Sequence, residues 1–157
     1  MRRCLLLAGL LISGLPATAT TNWNEVQQIE SRIERLGARV FWMRMNTGTC
    51  AQRGLLGVYD LRKRTVFMCQ QRLRSSSEPL IDTLKHEGWH AVQSICNGWR
   101  PVLGDHKIRA LLSQSDKEIL RESYDESQHR MEAEARAIEN VPTEAYLRGV
   151  DHYCRDQ

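Results

Sequence analysis

The sequence of 157 residues lacks the marks of several common classes of protein. It has no apolar run of the roughly 20 residues that a membrane-spanning helix needs. None of its five cysteines belongs to a C-x-x-C pair, which argues against a redox motif and a zinc ribbon. Internal repeats and low-complexity segments are absent as well. The composition that is present, 41% hydrophobic and 26% charged residues, is typical of one globular domain with a modest core.

The net positive charge is also small outside the first three residues, where 20 basic residues face 19 acidic ones. The formal net charge is +3, from 22 basic and 19 acidic residues, and two of the basic residues, Arg2 and Arg3, lie at the extreme N-terminus. The rest of the chain has no basic stripe of the kind that binds nucleic acid, so we expect no nucleic-acid partner.

Residues 1–19 have the three parts of a secretory signal peptide. The two arginines precede an almost wholly apolar run from Cys4 to Leu15, and small residues follow it up to Ala19. We expect cleavage after Ala19, which leaves residues 20–157 as the mature domain. The sequence thus predicts a secreted or periplasmic protein that keeps no stable membrane anchor after the leader is removed.

Export determines how the cysteines are interpreted. Loss of Cys4 with the leader leaves four cysteines, an even number suited to an oxidising compartment. We expect a Cys50–Cys69 disulfide, because these residues bracket a predicted hairpin. We expect a second disulfide between Cys96 and Cys154, which would tie the C-terminus to a central helix.

The pattern of apolar residues predicts an α+β domain with an N-terminal helix, a small three-stranded sheet with a hairpin, and a helical half. Helices are expected at residues 22–36, 78–96, 115–121, 125–140 and 143–154, strands at 39–45, 55–59 and 65–69, and a loop at 100–107. Serines at 75–77 are expected to cap the central helix, and Ser115 with Glu118 to form a capping box. The four tryptophans are expected in the core.

The central helix contains an H-E-x-x-H sequence, His86-Glu87-Gly88-Trp89-His90. Histidines four residues apart lie one turn apart on the same helix face, so both imidazoles can reach a single Zn²⁺ ion. Glu87 leans toward the same side, where it can take a proton from metal-bound water. The motif predicts zinc as cofactor, with His86 and His90 as ligands.

A catalytic zinc needs a third protein ligand and an open position for water. A histidine six residues past the motif, after a glycine bend, is excluded because Gln93 and Cys96 occupy those places. A later helix offers two glutamates instead, Glu132 and Glu134. They point in well-separated directions on a helix, so only one of them can be a ligand.

With these residues the chain resembles the glutamate zincins, among them thermolysin and the CAAX-prenyl endopeptidases, whose H-E-x-x-H is followed by E-x-x-A-D-x-x-A. Residues 132–135 read Glu-Ala-Glu-Ala and match the start of that second motif. The chain is also similar to uncharacterised small bacterial metallopeptidases with H-E-x-x-H-x-x-Q, which His90 and Gln93 match. The resemblance covers about residues 55–139. It implies Glu132 as third ligand, with Glu134 in reserve, and a peptidase in which Glu87 is the general base and then the proton donor to the leaving amine.

The sequence departs from the glutamate-zincin pattern at Arg136, where the family has an aspartate that orients a zinc-binding histidine. Glu139 or Asp105 could supply the missing carboxylate, and the sequence leaves this choice open. For the oxyanion of the tetrahedral intermediate, the candidates are Tyr124, His106 and His129.

Two further expectations concern the surroundings of the site. Gln93 either forms hydrogen bonds near the site or is solvated, and the strand at 65–69 is expected to line the cleft and pair with an extended peptide. The substrate class implied by the resemblance is a peptide or protein. The alternative function is a non-catalytic exported module that binds metal or another protein through a degenerate zincin site.

Overall fold

The computed structural model describes residues 22–44, 48–73, 78–123 and 126–155. The predicted leader, the serine cap at 75–77 and Tyr124 lie outside these ranges. The elements are α1 Trp23–Arg35, β1 Arg39–Met43, a 3₁₀ turn Gly48–Ala51, β2 Gly57–Asp60, β3 Thr65–Cys69, α2 Gln70–Leu73, α3 Glu78–Asn97, α4 Asp105–Leu111, α5 Gln114–Ser123, α6 Glu126–Glu139 and α7 Thr143–Tyr153. This arrangement confirms the predicted α+β class. Within the described ranges, no helix is both long and apolar enough to cross a membrane.

The sheet has the order β1-β3-β2. The predicted hairpin is confirmed, because β2 pairs antiparallel with β3 from Asp60 opposite Thr65 to Gly57 opposite Met68. β1 pairs with β3 in parallel. β3 is therefore the central strand, with a partner on each side, and the prediction that the strand at 65–69 pairs with a peptide is wrong. The edge strand that packs on α3 is β2.

The helix α3 is the centre of the fold and packs against α1, α6, α7 and two strands. Its fully buried side chains include Leu84, Trp89 and Val92. Gly88 permits this packing, because a Cβ atom there would lie 2.5 Å from both Ile33 Cδ1 on α1 and Tyr146 Oη on α7. Helices α1, α3 and α7 thus pack closely around the middle of the H-E-x-x-H sequence.

Three local predictions are corrected by the structure. Helix α4 begins at Asp105, inside the predicted loop at 100–107. The capping box lies two residues earlier than expected: Asp116 N donates to Ser113 Oγ over 3.1 Å, and Ser113 N donates to Asp116 Oδ2 over 3.0 Å. Of the tryptophans predicted as core, Trp23 and Trp99 are exposed, at 55% and 44%.

Both predicted disulfides are confirmed. Cys50–Cys69 joins the 3₁₀ turn to the end of β3, and Cys96–Cys154 joins the last turn of α3 to the residue after α7. Disulfides form and persist in oxidising compartments, so this pair of bridges indicates an extracellular or otherwise oxidising environment.

Candidate metal site

The carboxylate of Glu132 on α6 lies between the two histidines of α3. Glu132 Oε2 is 3.3 Å from His86 Nε2, and Glu132 Oε1 is 3.4 Å from His90 Nε2. Both histidines are buried, and one nitrogen or oxygen of each of the three residues falls within 4.8 Å of the others. This His–His–Glu group can hold a metal ion.

These separations and donor types suit a small tetrahedral cation. Two ligands each about 2.1 Å from a tetrahedral ion are themselves about 3.4 Å apart, which is close to the spacing between Glu132 and each histidine. Two imidazole nitrogens and one carboxylate oxygen are a donor set found in catalytic zinc sites. The residues present therefore fit a metal of this type.

The outer nitrogen of His86 is held by Glu139, at the last position of α6. His86 Nδ1 donates a hydrogen bond to Glu139 Oε2 over 2.8 Å, which leaves Nε2 directed toward Glu132. Of the two carboxylates left open by the sequence, it is Glu139 that contacts the histidine. Asp105 instead forms an ion pair with Arg130 over 2.8 Å.

Arg136, the residue that departs from the zincin pattern, lies beside this contact. Its Nη1 is 3.6 Å from Glu139 Oε1, the oxygen that His86 does not use. The same nitrogen is 4.0 Å from Asp116 Oδ1. The arginine thus contacts the carboxylate that orients His86, and that carboxylate belongs to a glutamate one turn after position 136 on α6.

His90 is oriented by Gln93, one turn later on α3. His90 Nδ1 donates to Gln93 Oε1 over 2.7 Å, and Gln93 Nε2 donates to Glu134 Oε2 over 2.7 Å and to the Met131 carbonyl over 3.0 Å. Gln93 is fully buried. Gln93 therefore forms hydrogen bonds next to the candidate site and is not solvated, which decides between the two roles that the sequence left open.

Glu134 is turned away from the histidines and anchors the segment after α3. Its carboxylate accepts hydrogen bonds from Val102 N over 2.8 Å and from Leu103 N, in addition to the one from Gln93. It is fully buried. Glu132 is therefore the glutamate next to both imidazoles, and Glu134 fastens the 102–103 backbone to α6.

The surroundings of the site favour a positive charge between its carboxylates. Burial lowers the pKa of His86, but its hydrogen bonds with Glu132 and Glu139 outweigh that effect and raise the pKa to about 10. Burial raises the pKa of Glu132, yet contacts with the two histidines prevail and hold it well below its usual range. Burial also raises the pKa of Glu134, against the hydrogen bonds it accepts. Glu132 and Glu139 thus stabilise positive charge on the imidazole of His86.

Glu87 faces a cleft of about 380 Å³ next to the His–His–Glu group. The cleft runs between the start of β2 and α3, and its lining includes Gly57, Thr83, His86 and Arg136. Gly57 lets β2 approach the helix closely, because a Cβ atom there would be 2.7 Å from Thr83 Cγ2 and 3.0 Å from Glu87 Cγ. The predicted general base thus lines the same cleft as His86, a member of the candidate metal-binding group.

Lys85 supports the candidate metal site, and the sequence did not indicate this role. It is a buried lysine whose Nζ donates to the Glu139 carbonyl and, over 2.9 Å, to the Val141 carbonyl. Asp82 Oδ1 lies 3.1 Å from the same nitrogen. Lys85 therefore fixes the backbone of the residue whose side chain orients His86.

Two of the three proposed oxyanion residues, His106 and His129, lie in the described part of the chain and do not belong to this group. His106 is exposed on α4, and His129 is partly buried on α6. Among the residues that the structure describes, the candidate metal-binding group consists of His86, His90 and Glu132 without either of them. Their oxyanion role remains a prediction.

Fold and site together define an α+β domain whose 20-residue central helix carries two of the three members of a group that can bind metal. The chain belongs to the family described as a domain of unknown function, DUF8637, which matches residues 24–155. No curated protein and no solved structure matches the chain.

Proposed function

We propose that the protein is an exported zinc-dependent peptidase. The observation that carries this proposal is the position of Glu132, within 3.4 Å of Nε2 of both histidines of the H-E-x-x-H helix. A carboxylate from a separate helix completes the three-ligand set of a catalytic zinc, which leaves a fourth position for water or substrate.

The choice of zinc is supported by the donors and by what holds them. Imidazole is the commonest nitrogen ligand of zinc, and a catalytic zinc combines it readily with one carboxylate. Glu139 and Gln93 fix the outer nitrogens of His86 and His90, so both rings are already oriented for coordination through Nε2.

Glu87 supplies the acid–base chemistry in this proposal. Zinc held by His86, His90 and Glu132 would act as a Lewis acid and lower the pKa of water. The Glu87 carboxylate accepts the proton of the attacking water and then donates it to the leaving amine nitrogen, so that an amide bond is hydrolysed. We place the peptide or protein substrate in the adjacent cleft of about 380 Å³, which Glu87 and His86 both line.

Export is supported by the disulfides. The two bridges join distant elements of the fold and need an oxidising compartment to form. With the signal peptide expected at residues 1–19, we propose that the mature domain, residues 20–157, functions in the periplasm or outside the cell.

The first test is the zinc content of the mature chain, expressed under oxidising conditions and measured by elemental mass spectrometry. We expect about one zinc per chain, lost in His90→Ala and kept in His106→Ala, which removes an exposed histidine of α4 instead. A metal-free wild type, even after zinc is added to the folded protein, would contradict the proposal at its first step.

The second test separates catalysis from metal binding. Glu87→Gln should keep the zinc and lose hydrolysis in a peptide-library assay, because the amide cannot carry the proton. If wild type with bound zinc cleaves no peptide in the library, the alternative of a non-catalytic metal-binding module is favoured. If Glu87→Gln cleaves as fast as wild type, the assigned role of Glu87 is wrong.

A further inference from the structure

An exposed tryptophan lies directly beside the candidate metal site. The ring centroid of Trp99 is 5.9 Å from that of His90, and it is 6.5 Å from that of Tyr59, with the two aromatic planes inclined by only 26°. Tyr59 and His90 are buried, at 8% and 6% exposure, whereas Trp99 is 44% exposed. We call these three rings the aromatic shelf. Trp99 is its exposed member and therefore the ring that a ligand from solvent can contact.

The backbone at Trp99 has a conformation that this residue type seldom adopts. Trp99 has φ +61°, in the left-handed region, and follows Gly98 with φ +60°. A side chain with a Cβ atom is strained in that region, and strained residues of this kind concentrate at functional sites. Because the indole is nearly half exposed, burial of the side chain is a weak explanation for tolerating the strain.

Hydrogen bonds fix the backbone on both sides of Trp99, so the position of its ring is restricted. Trp99 N donates to the Gln93 carbonyl over 2.8 Å, and Asn97 Nδ2 donates to the Pro101 carbonyl over 2.8 Å. Further along, Glu134 accepts the backbone N–H groups of residues 102 and 103. The side chain of the same Gln93 accepts a hydrogen bond from His90, so one residue contacts both Trp99 and a member of the His–His–Glu group.

We infer that Trp99 is a specificity-determining residue, whose ring stacks with an aromatic side chain of a peptide bound at the His–His–Glu site. This inference rests on the proposed peptidase function. A Phe, Tyr or Trp side chain would extend the stack formed by Trp99 and Tyr59. Aromatic pairs gain about 0.5–1.5 kcal/mol beyond the burial of apolar area, which corresponds to a preference of about two- to tenfold over an aliphatic side chain.

The experiment compares two tripeptides, acetyl-Gly-Phe-Gly-amide and acetyl-Gly-Leu-Gly-amide, on the zinc-treated full mature chain. The affinity for each peptide is measured by isothermal titration calorimetry, which the Trp99 variants also allow. The indole N–H resonance of Trp99, assigned by NMR from its loss in Trp99→Phe, reports whether the peptide contacts this ring. We expect the Phe peptide to shift the Trp99 resonance and to bind two- to tenfold more tightly than the Leu peptide. Trp23→Ala, which removes another exposed tryptophan, should leave this ratio unchanged.

Two matched substitutions test the aromatic ring itself. Trp99→Phe keeps a stacking face and should retain most of the preference, whereas Trp99→Leu keeps an apolar side chain and should bring the ratio close to one. Both place a non-glycine residue at φ +61°, so any cost of backbone strain is shared. The resonance of buried Trp89 serves as the check that each variant is folded.

The outcomes keep this inference separate from the proposed function. Equal ratios in Trp99→Phe and Trp99→Leu would overturn the inference even if zinc and hydrolysis are found. A Trp99 resonance that neither peptide moves would overturn it too, as would tighter binding of the Leu peptide than of the Phe peptide. A wild type that binds no zinc but keeps the Phe preference would contradict the peptidase while supporting the role of Trp99 in recognition.

Discussion

Glu139 and His86 are joined by a hydrogen bond of 2.8 Å, in which the carboxylate of α6 accepts from the imidazole of α3. Glu132 contacts the other nitrogen of the same imidazole. The two carboxylates are about two turns apart on α6, so they lie on one face of that helix. Helix α6 thus provides both carboxylates that contact His86: Glu132 at Nε2 and Glu139 at Nδ1.

The Glu139 contact leads to a prediction about metal affinity. Glu139→Gln keeps a hydrogen-bond acceptor for His86 but removes the charge, and loss of such a partner typically weakens metal binding about 10- to 100-fold. Competition with a chelator of known zinc affinity measures the change. Glu144→Gln, an exposed carboxylate on α7, is the matched control and should leave the affinity at the wild-type value.

The two neighbouring glutamates should separate into a metal ligand and a structural anchor. Glu132→Gln should lose bound zinc. Glu134→Gln should keep it at saturating zinc but lower the free energy of unfolding by about 1–3 kcal/mol, because an amide nitrogen would then face backbone N–H donors. Elemental mass spectrometry and urea denaturation of both variants give the two readings. Zinc loss in Glu134→Gln with wild-type stability would reverse the assignment of the ligand.

Gly57 should control the placement of Glu87 without affecting the metal. In Gly57→Ala the new methyl group must displace Thr83 or Glu87, and a misplaced catalytic group costs about 10- to 100-fold in rate. Hydrolysis assays with zinc content measured in parallel detect this. Adding Thr83→Ser, which removes the crowded Cγ2 atom, should recover part of the rate.

Gly104→Ala is the control for Gly57→Ala, because a Cβ atom at position 104 meets nothing within 4 Å. It should leave the rate of hydrolysis close to wild type. Equal losses in the two alanine variants would mean that the effect is not specific to the approach of β2 to α3.

The disulfides should differ in their contribution to stability. The Cys96–Cys154 bridge closes a loop of 58 residues and the Cys50–Cys69 bridge one of 19, so loop entropy predicts losses of about 4 and about 3 kcal/mol when each is removed. Urea denaturation of the two double-alanine variants measures both values. A larger loss for the shorter loop would show that packing at Cys50, rather than loop length, is decisive.

Features set by local spacing could be predicted from the sequence. Apolar periodicity gave α1 and α3 within about two residues, and the four-residue spacing of the histidines predicted that they share a helix face. The disulfide pairing followed from the expected positions of the hairpin and the central helix. In each case the deciding interaction lies within one element or between neighbouring elements.

Features set by tertiary packing could not be predicted in this way. Gln93 and Glu139 are ordinary polar residues of helices until α3 and α6 pack together and direct them at the imidazoles. The central position of β3 depends on the parallel pairing of β1, which no local pattern encodes. Trp99 follows an Asn-Gly pair that ends α3, and only the path of the chain after that stop brings its ring to His90.

Because Lys85 is buried, the rate at which its amine is acylated reports on the separation of α3 from the end of α6. An ammonium group that donates to the carbonyls of Glu139 and Val141 is shielded from amine-acylating reagents while α3 and the end of α6 stay together. Lys63 in the hairpin turn is largely exposed and would be acylated at once. The delay between labelling of the two lysines therefore measures how often the two helices that carry the candidate ligands come apart.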